Sequence, residues 1–116
     1  MDTGIRIRRV YEPPAADDGR RVLVDRLWPR GLSKDKARVD EWLKEVAPSH
    51  ELRRWFGHDP ARWEEFRRRY REELAGGAAF ARLQAMAREG PLTLVYAARD
   101  EAHNDAVVLA ELLGRS

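Results

Sequence analysis

Two short apolar runs, Val22-Leu23-Val24 and Leu92-Thr93-Leu94-Val95-Tyr96-Ala97, are separated by most of the chain, and the stretch between them has helical period. A strand that is apolar on both faces is buried on both faces, which is the pattern of a parallel sheet covered by helices. The first run is expected to extend from Val22 to about Leu27, where Trp28-Pro29-Arg30-Gly31 breaks it; the second is entered through Gly90-Pro91. Ahead of both, Ile5, Ile7 and Tyr11 alternate with Arg6 and Arg8 as in a half-exposed strand, which Glu12-Pro13-Pro14 ends. Three strands are therefore expected.

Helix signals fill the interval. Ser33 is placed to cap a helix bearing Val39, Trp42, Leu43 and Val46 and stopped by Pro48, with part of Asp40–Val46 extended as the alternative. Ser49 caps a short helix through Phe56. Asp59-Pro60 opens another, because an aspartate accepts orphan backbone N–H groups and proline loses nothing in the first turn. Trp63, Phe66, Tyr70 and Leu74 then recur at helical spacing until Gly76-Gly77. Phe80, Leu83 and Ala87 mark the next helix, and a mostly apolar one runs from about Ala102 to Leu113. Only the link from the second strand to the last is expected to hold a helical crossover. The fold expected is α/β, a small, mainly parallel sheet covered by four or five helices in one domain spanning residues 1–116.

Chemistry is sought where the strands end, since open α/β sheets bind ligands beyond the carboxyl ends of their strands. The first buried strand leads into Asp25-Arg26-Leu27-Trp28-Pro29-Arg30-Gly31, and the second into Arg99-Asp100-Glu101-Ala102-His103-Asn104. If the strands are neighbours, Arg26, Arg30 and Arg99 meet beside a helix N-terminus and make a site for phosphate or carboxylate, with Trp28 and Asn104 as further ligand-binding groups. Asp25, Asp100 and His103 are the candidates for proton transfer, imidazole because it titrates near neutrality. Each has a plainer alternative. Asp100 suits a helix N-cap, Asp25 an internal ion pair, Trp28 the core, and His103 an exposed first helical turn. His50 and His58 carry no assignment.

Other chemistries fail on residue type. The chain has no cysteine, which removes disulfides, thiolate nucleophiles and thiolate metal sites. Its serines lie outside any nucleophile elbow, and no phosphate-binding glycine loop follows a strand. Asp25 lacks the second acid that aspartyl nucleophiles use two positions on, where Leu27 stands. His50, His58, Asp59 and His103 have no recognised ligand spacing, so neither a metal nor a cofactor is expected.

The 22 Lys and Arg, 19 of them arginine, face 20 Asp and Glu, so net charge alone suggests no nucleic-acid footprint. Arginines do interleave with aromatics over residues 62–71, as on single-stranded nucleic-acid platforms, but glutamates alternate with them and favour a salt-bridged outer face. No run is long enough to span a membrane, and residues 1–11 do not look like a signal peptide, so a cytoplasmic protein is expected. The leading expectation is an anion pocket, in a hydrolase or transferase if the chain is an enzyme. The alternative is a non-enzymatic module that binds nucleic acid or protein through arginine-rich faces.

Three segments carry a resemblance. Val22–Lys34 (VLVDRLWPRGLSK), Trp63–Leu74 (WEEFRRRYREEL) and Leu92–Leu113 (LTLVYAARDEAHNDAVVLAELL) resemble the bacterial YeaO-like proteins, within domain of unknown function 488. The resemblance spans nearly the whole chain and implies membership but no reaction, since that family has no assigned activity. Longer relatives carry cysteines around the final strand and helix; Ala97 and Asn104 stand in that neighbourhood here, so no thiol chemistry carries over.

Overall fold

The computed structural model describes residues 4–114, and all structural statements refer to these. Four strands, β1 (Ile5–Arg9), β2 (Arg20–Leu23), β3 (Glu41–Trp42) and β4 (Leu92–Tyr96), form one parallel sheet in the order β1-β4-β2-β3. Five α-helices, α1 (Lys34–Ala37), α2 (His50–Phe56), α3 (Trp63–Leu74), α4 (Ala78–Glu89) and α5 (Asp105–Gly114), and two 3-10 turns, Lys44–Val46 and Pro60–Arg62, complete it. The α/β class is as the apolar runs imply, with one strand more.

The additional strand arises from how α1 ends. Ser33 caps it as expected, its hydroxyl accepting from the Lys36 N–H at 3.2 Å. Arg38 then turns left-handed at φ 52° and stops the helix after four residues. The chain from Val39 runs extended, and its Asp40 N–H donates to the Arg21 carbonyl at 2.8 Å. Trp42 therefore sits on β3 and Val46 in a 3-10 turn, instead of one helix to Pro48. The link from β2 to β3 is thus also a crossover, contrary to expectation, because a single helical turn suffices to bring the chain back alongside.

Strand alternation divides the interior. Leu92, Leu94 and Tyr96 of β4, with Val22 and Val24, pack against α2–α5 in the larger core, whereas Leu23 and Val95 join Val10 and Ala37 on the opposite face. Phe66, Tyr70 and Leu74 are the buried stripe of α3, as their spacing predicts. On its outer side Arg67 pairs with Glu64 and Glu111, Arg68 with Glu65 and Glu72, and Arg69 with Glu65. The opposite face also buries an ion pair, Arg21 to Asp18 at 2.6 Å, with Arg21 donating further to the carbonyls of Ala37 and Arg38.

Strand lengths set where the site begins. β2 ends at Leu23, short of Leu27, and β1 ends at Arg9, leaving Tyr11 exposed. β4 ends at Tyr96, and α5 starts at Asp105, three residues later than expected.

Candidate functional site

A cleft of about 440 Å³ opens at the carboxyl ends of β2 and β4, between the segments 25–30, 47–58 and 97–105. Volumes of a few hundred Å³ suit small-molecule ligands. It receives polar groups both from chain that the strands have just released and from α2 and its end, and its apolar wall, Phe56 and Phe66, from the core face of α2 and α3.

Asp25 enters two residues beyond β2. Its Oδ2 accepts from the Ala97 N–H at 2.9 Å, tying this loop to the first residue after β4, and its carbonyl accepts from the Trp42 indole at 2.7 Å. The internal ion pair envisaged for Asp25 does not form. What it meets is the carboxyl of Asp105, the first residue of α5, close enough to hydrogen-bond side chain to side chain. Burial pushes the Asp105 carboxyl well above the usual carboxylate range, and the nearby Asp25 charge pushes it further. Burial also raises Asp25, opposed by its contacts with Asp105 and the Ala97 N–H and by the Arg53 charge. Burial and mutual proximity thus both favour the protonated form at this pair.

Arg26 and Arg30 both line the cleft. Arg26 reaches the carbonyls of Ala47 and Pro48 at 3.4 and 3.3 Å, leaving its buried Nε without a partner. Trp28 lines the cleft and also packs on the smaller core, edge-on to Trp42 at 5.6 Å and donating to the Leu32 carbonyl. Arg99 is exposed and does not line the cleft.

Asp100 does not line the cleft. Its Oδ1 accepts from the N–H groups of Ala102 and His103, and its Oδ2 lies 2.9 Å from the His103 Nδ1. The His103 contact, first of all, holds the Asp100 carboxyl below its ordinary value. The cap of α5 is Asn104, not Asp100: its Oδ1 accepts from the Val107 N–H at 3.1 Å while its Nδ2 donates to the Asp100 carbonyl. His103 consequently precedes the helix instead of riding its first turn. It faces the cleft, with its ring edge-on to Trp63 at 5.1 Å.

Four further polar residues line the cleft without having been singled out: His50, Arg53, Arg54 and His58. His50 and Arg53 come from α2, whose start the Ser49 cap announces, and His58 comes after Gly57 in a left-handed conformation at φ 57°. The signal for them was α2 itself, since a helix with Leu52 and Phe56 inward turns its remaining side chains outward. Among the described residues no three His, Asp or Glu side chains gather closely enough to hold a metal ion, and no helix is long and apolar enough to cross a membrane.

Comparison with known proteins gives a consistent assignment. A family model described as the inactive DUF488-N3 subclade matches residues 4–116. Uncharacterised proteins of Mycobacterium tuberculosis and Mycobacterium bovis are 51% identical over 112 residues, covering 97% of this chain and 95% of theirs. The uncharacterised protein YeaO of Escherichia coli is 46% identical over 110 residues, covering 94% of this chain and 96% of its own. No solved structure matches significantly. The chain belongs to the DUF488 family, within its DUF488-N3 subclade.

Proposed function

We propose that the chain binds a small anion, a phosphate or carboxylate compound, in the cleft at the strand ends. The observation that carries this reading is the gathering of Arg26, Arg30, Arg53 and Arg54 on one cleft of about 440 Å³, with His50, His58 and His103 beside them. Guanidinium groups present paired donors that match the oxygens of such anions. The Arg26 guanidinium makes only long contacts, 3.4 and 3.3 Å, to the Ala47 and Pro48 carbonyls, which leaves it N–H capacity for a ligand oxygen. Arg99 has no part in this version of the site.

Binding without turnover is favoured over hydrolysis or transfer, because the matching subclade is described as inactive. In the catalytic variant, His103 oriented by Asp100 would be the proton carrier, with Asp25 beside the ligand. A nucleic-acid role has less support, since the α3 arginines are engaged by glutamates. The cytoplasm, rich in phosphorylated and carboxylated metabolites, is the location that accords with this reading.

The test is thermal unfolding against phosphate, sulfate, sugar phosphates and small carboxylates. A ligand at about 100 times its dissociation constant adds about 2.7 kcal/mol, several degrees for a domain of this size. A shift by one anionic class that is lost in Arg53→Ala supports the reading. No shift from any anion overturns it.

A further inference from the structure

The anion-binding reading, on which this inference rests, leaves one feature of the cleft unused. Asp25 and Asp105 face each other there, and among the described residues neither forms an ion pair with a lysine, arginine or histidine. Two carboxylates this close repel when both are ionised, and a positive group seated between them relieves that repulsion. We propose that the ligand of this cleft carries a protonated amine as well as its anionic group, the amine seated against the Asp25 and Asp105 carboxyls while the anion lies on the arginines.

The surroundings favour an amine over other occupants. A hydroxyl leaves the repulsion to be relieved by a proton and gains one hydrogen bond. A divalent cation needs more oxygen ligands than two carboxyls, and no third acidic or histidine side chain gathers with them. An ammonium group brings a full charge and three donors, enough for both carboxyls at once. The spacing also fits a single small molecule, because Arg53 of α2 lies near enough to act electrostatically on Asp25 while lining the same cleft.

Binding is then coupled to proton release. The empty pair holds a proton; the arriving ammonium replaces it, the proton leaves to solvent, and both carboxyls are ionised against the bound amine. No covalent bond changes. The other groups near the pair are Arg53 from α2 and Tyr70 from α3, with Arg26, His50 and His103 on the cleft walls. Burial, with the Asp105 and Asp25 charges, raises Tyr70 well above the usual phenol range, so its hydroxyl does not titrate near neutrality. The histidines face the same probes in variant and parent, so a comparison between the two proteins removes their contribution.

The test is titration calorimetry at pH 6.5 with O-phosphoethanolamine and with ethyl phosphate, each in buffers of different ionisation enthalpy. The parent chain should bind the aminated probe about tenfold more tightly, the usual worth of one charge-assisted contact. It should also release about one more proton than Asp105→Asn does with that probe, and no extra proton with ethyl phosphate. Asp105→Asn should bind both probes alike. Asp25→Asn, whose amide oxygen still accepts from Ala97, serves if the first variant does not fold. Equal affinity of the parent chain for both probes, with equal proton release from parent and variant, overturns this inference and leaves the anion reading intact. Failure of both probes to bind overturns this inference and the phosphate form of the anion reading together.

Discussion

The carboxyl of Asp25, two residues past β2, faces the carboxyl of Asp105, the first residue of α5, across the head of the parallel sheet. Asp25 is fixed by the Ala97 N–H and Asp105 by its position after the Asn104 cap. The two aspartates are far apart in sequence and meet because β2 and β4 are hydrogen-bonded neighbours with Val22 opposite Leu94. A structural carboxylate is ordinarily given a cation; this pair is given an open cleft instead.

The pair makes stability depend on pH in a definite direction. Burial raises both carboxyls above their unfolded values, so the folded chain holds a proton that the unfolded chain gives up. Its contribution is fully present below the unfolded value, near pH 4, and is lost as pH rises through the folded one. Each unit of elevation amounts to about 1.4 kcal/mol. Asp105→Asn should therefore gain stability relative to the parent between pH 5 and 8, as the difference between two denaturant-unfolding series. A difference that does not change with pH would mean that the pair is ionised in the folded chain.

Arginine substitutions should separate the cleft from the surface beside it. Arg53→Ala removes a cleft guanidinium and should weaken anion binding about tenfold, the usual worth of one charge-assisted contact. Arg99→Ala, outside the lining, should leave it within about twofold. The anion-induced shift in melting temperature reads both; equal losses would redraw the site around Arg99.

Asn104 and Asp100 divide capping and orientation between them. Asn104→Ala deletes the acceptor for the Val107 N–H and should cost about 1 kcal/mol. Asp100→Asn, whose oxygen can still accept from Ala102 and His103, should cost less while altering the His103 ring environment. Chemical unfolding measures the first, and the imidazole resonances of His103 report the second.

Gly19 turns the chain into β2 at φ 66°, and a Cβ there would fall 2.8 Å from the Pro91 carbonyl carbon. That carbonyl accepts from the Arg20 N–H, so the two backbones cannot separate without weakening the start of the β2–β4 pairing. Gly19→Ala should destabilise by about 2 kcal/mol or more, through strain and steric conflict together. A melting temperature unchanged by the substitution would show that the turn relaxes freely.

Much of the architecture is local in origin. Val22-Leu23-Val24 and Leu92–Tyr96 are apolar on both faces, and that alone places them in the middle of a covered sheet. Ser33, Ser49 and Asp59 cap where they stand because each side chain satisfies an N–H two or three residues on, an interaction complete within one turn. The stripe on α3 and its paired outer charges are likewise set by helical spacing. The end of α1 was not legible, since a left-handed Arg38 leaves no mark in composition and β3 is held by pairing with β2.

The site divides along the same line. Sequence marked Asp25, Arg26, Trp28, Arg30, Asp100, His103 and Asn104 because they are polar or aromatic groups just past buried strands, where a parallel sheet presents its loops to ligands. It offered Asp100 as the cap of the last helix, whereas Asn104 caps it, because the start of α5 at Asp105 decides which side chain reaches the free N–H groups. Tertiary structure alone set Arg99 aside, brought His50, Arg53 and His58 over from α2 and its end, and set Asp105 against Asp25. The reason is physical: capping and amphipathic burial are satisfied within a few residues, whereas a cleft is made where separate elements happen to end, and its members share no spacing that a linear chain displays.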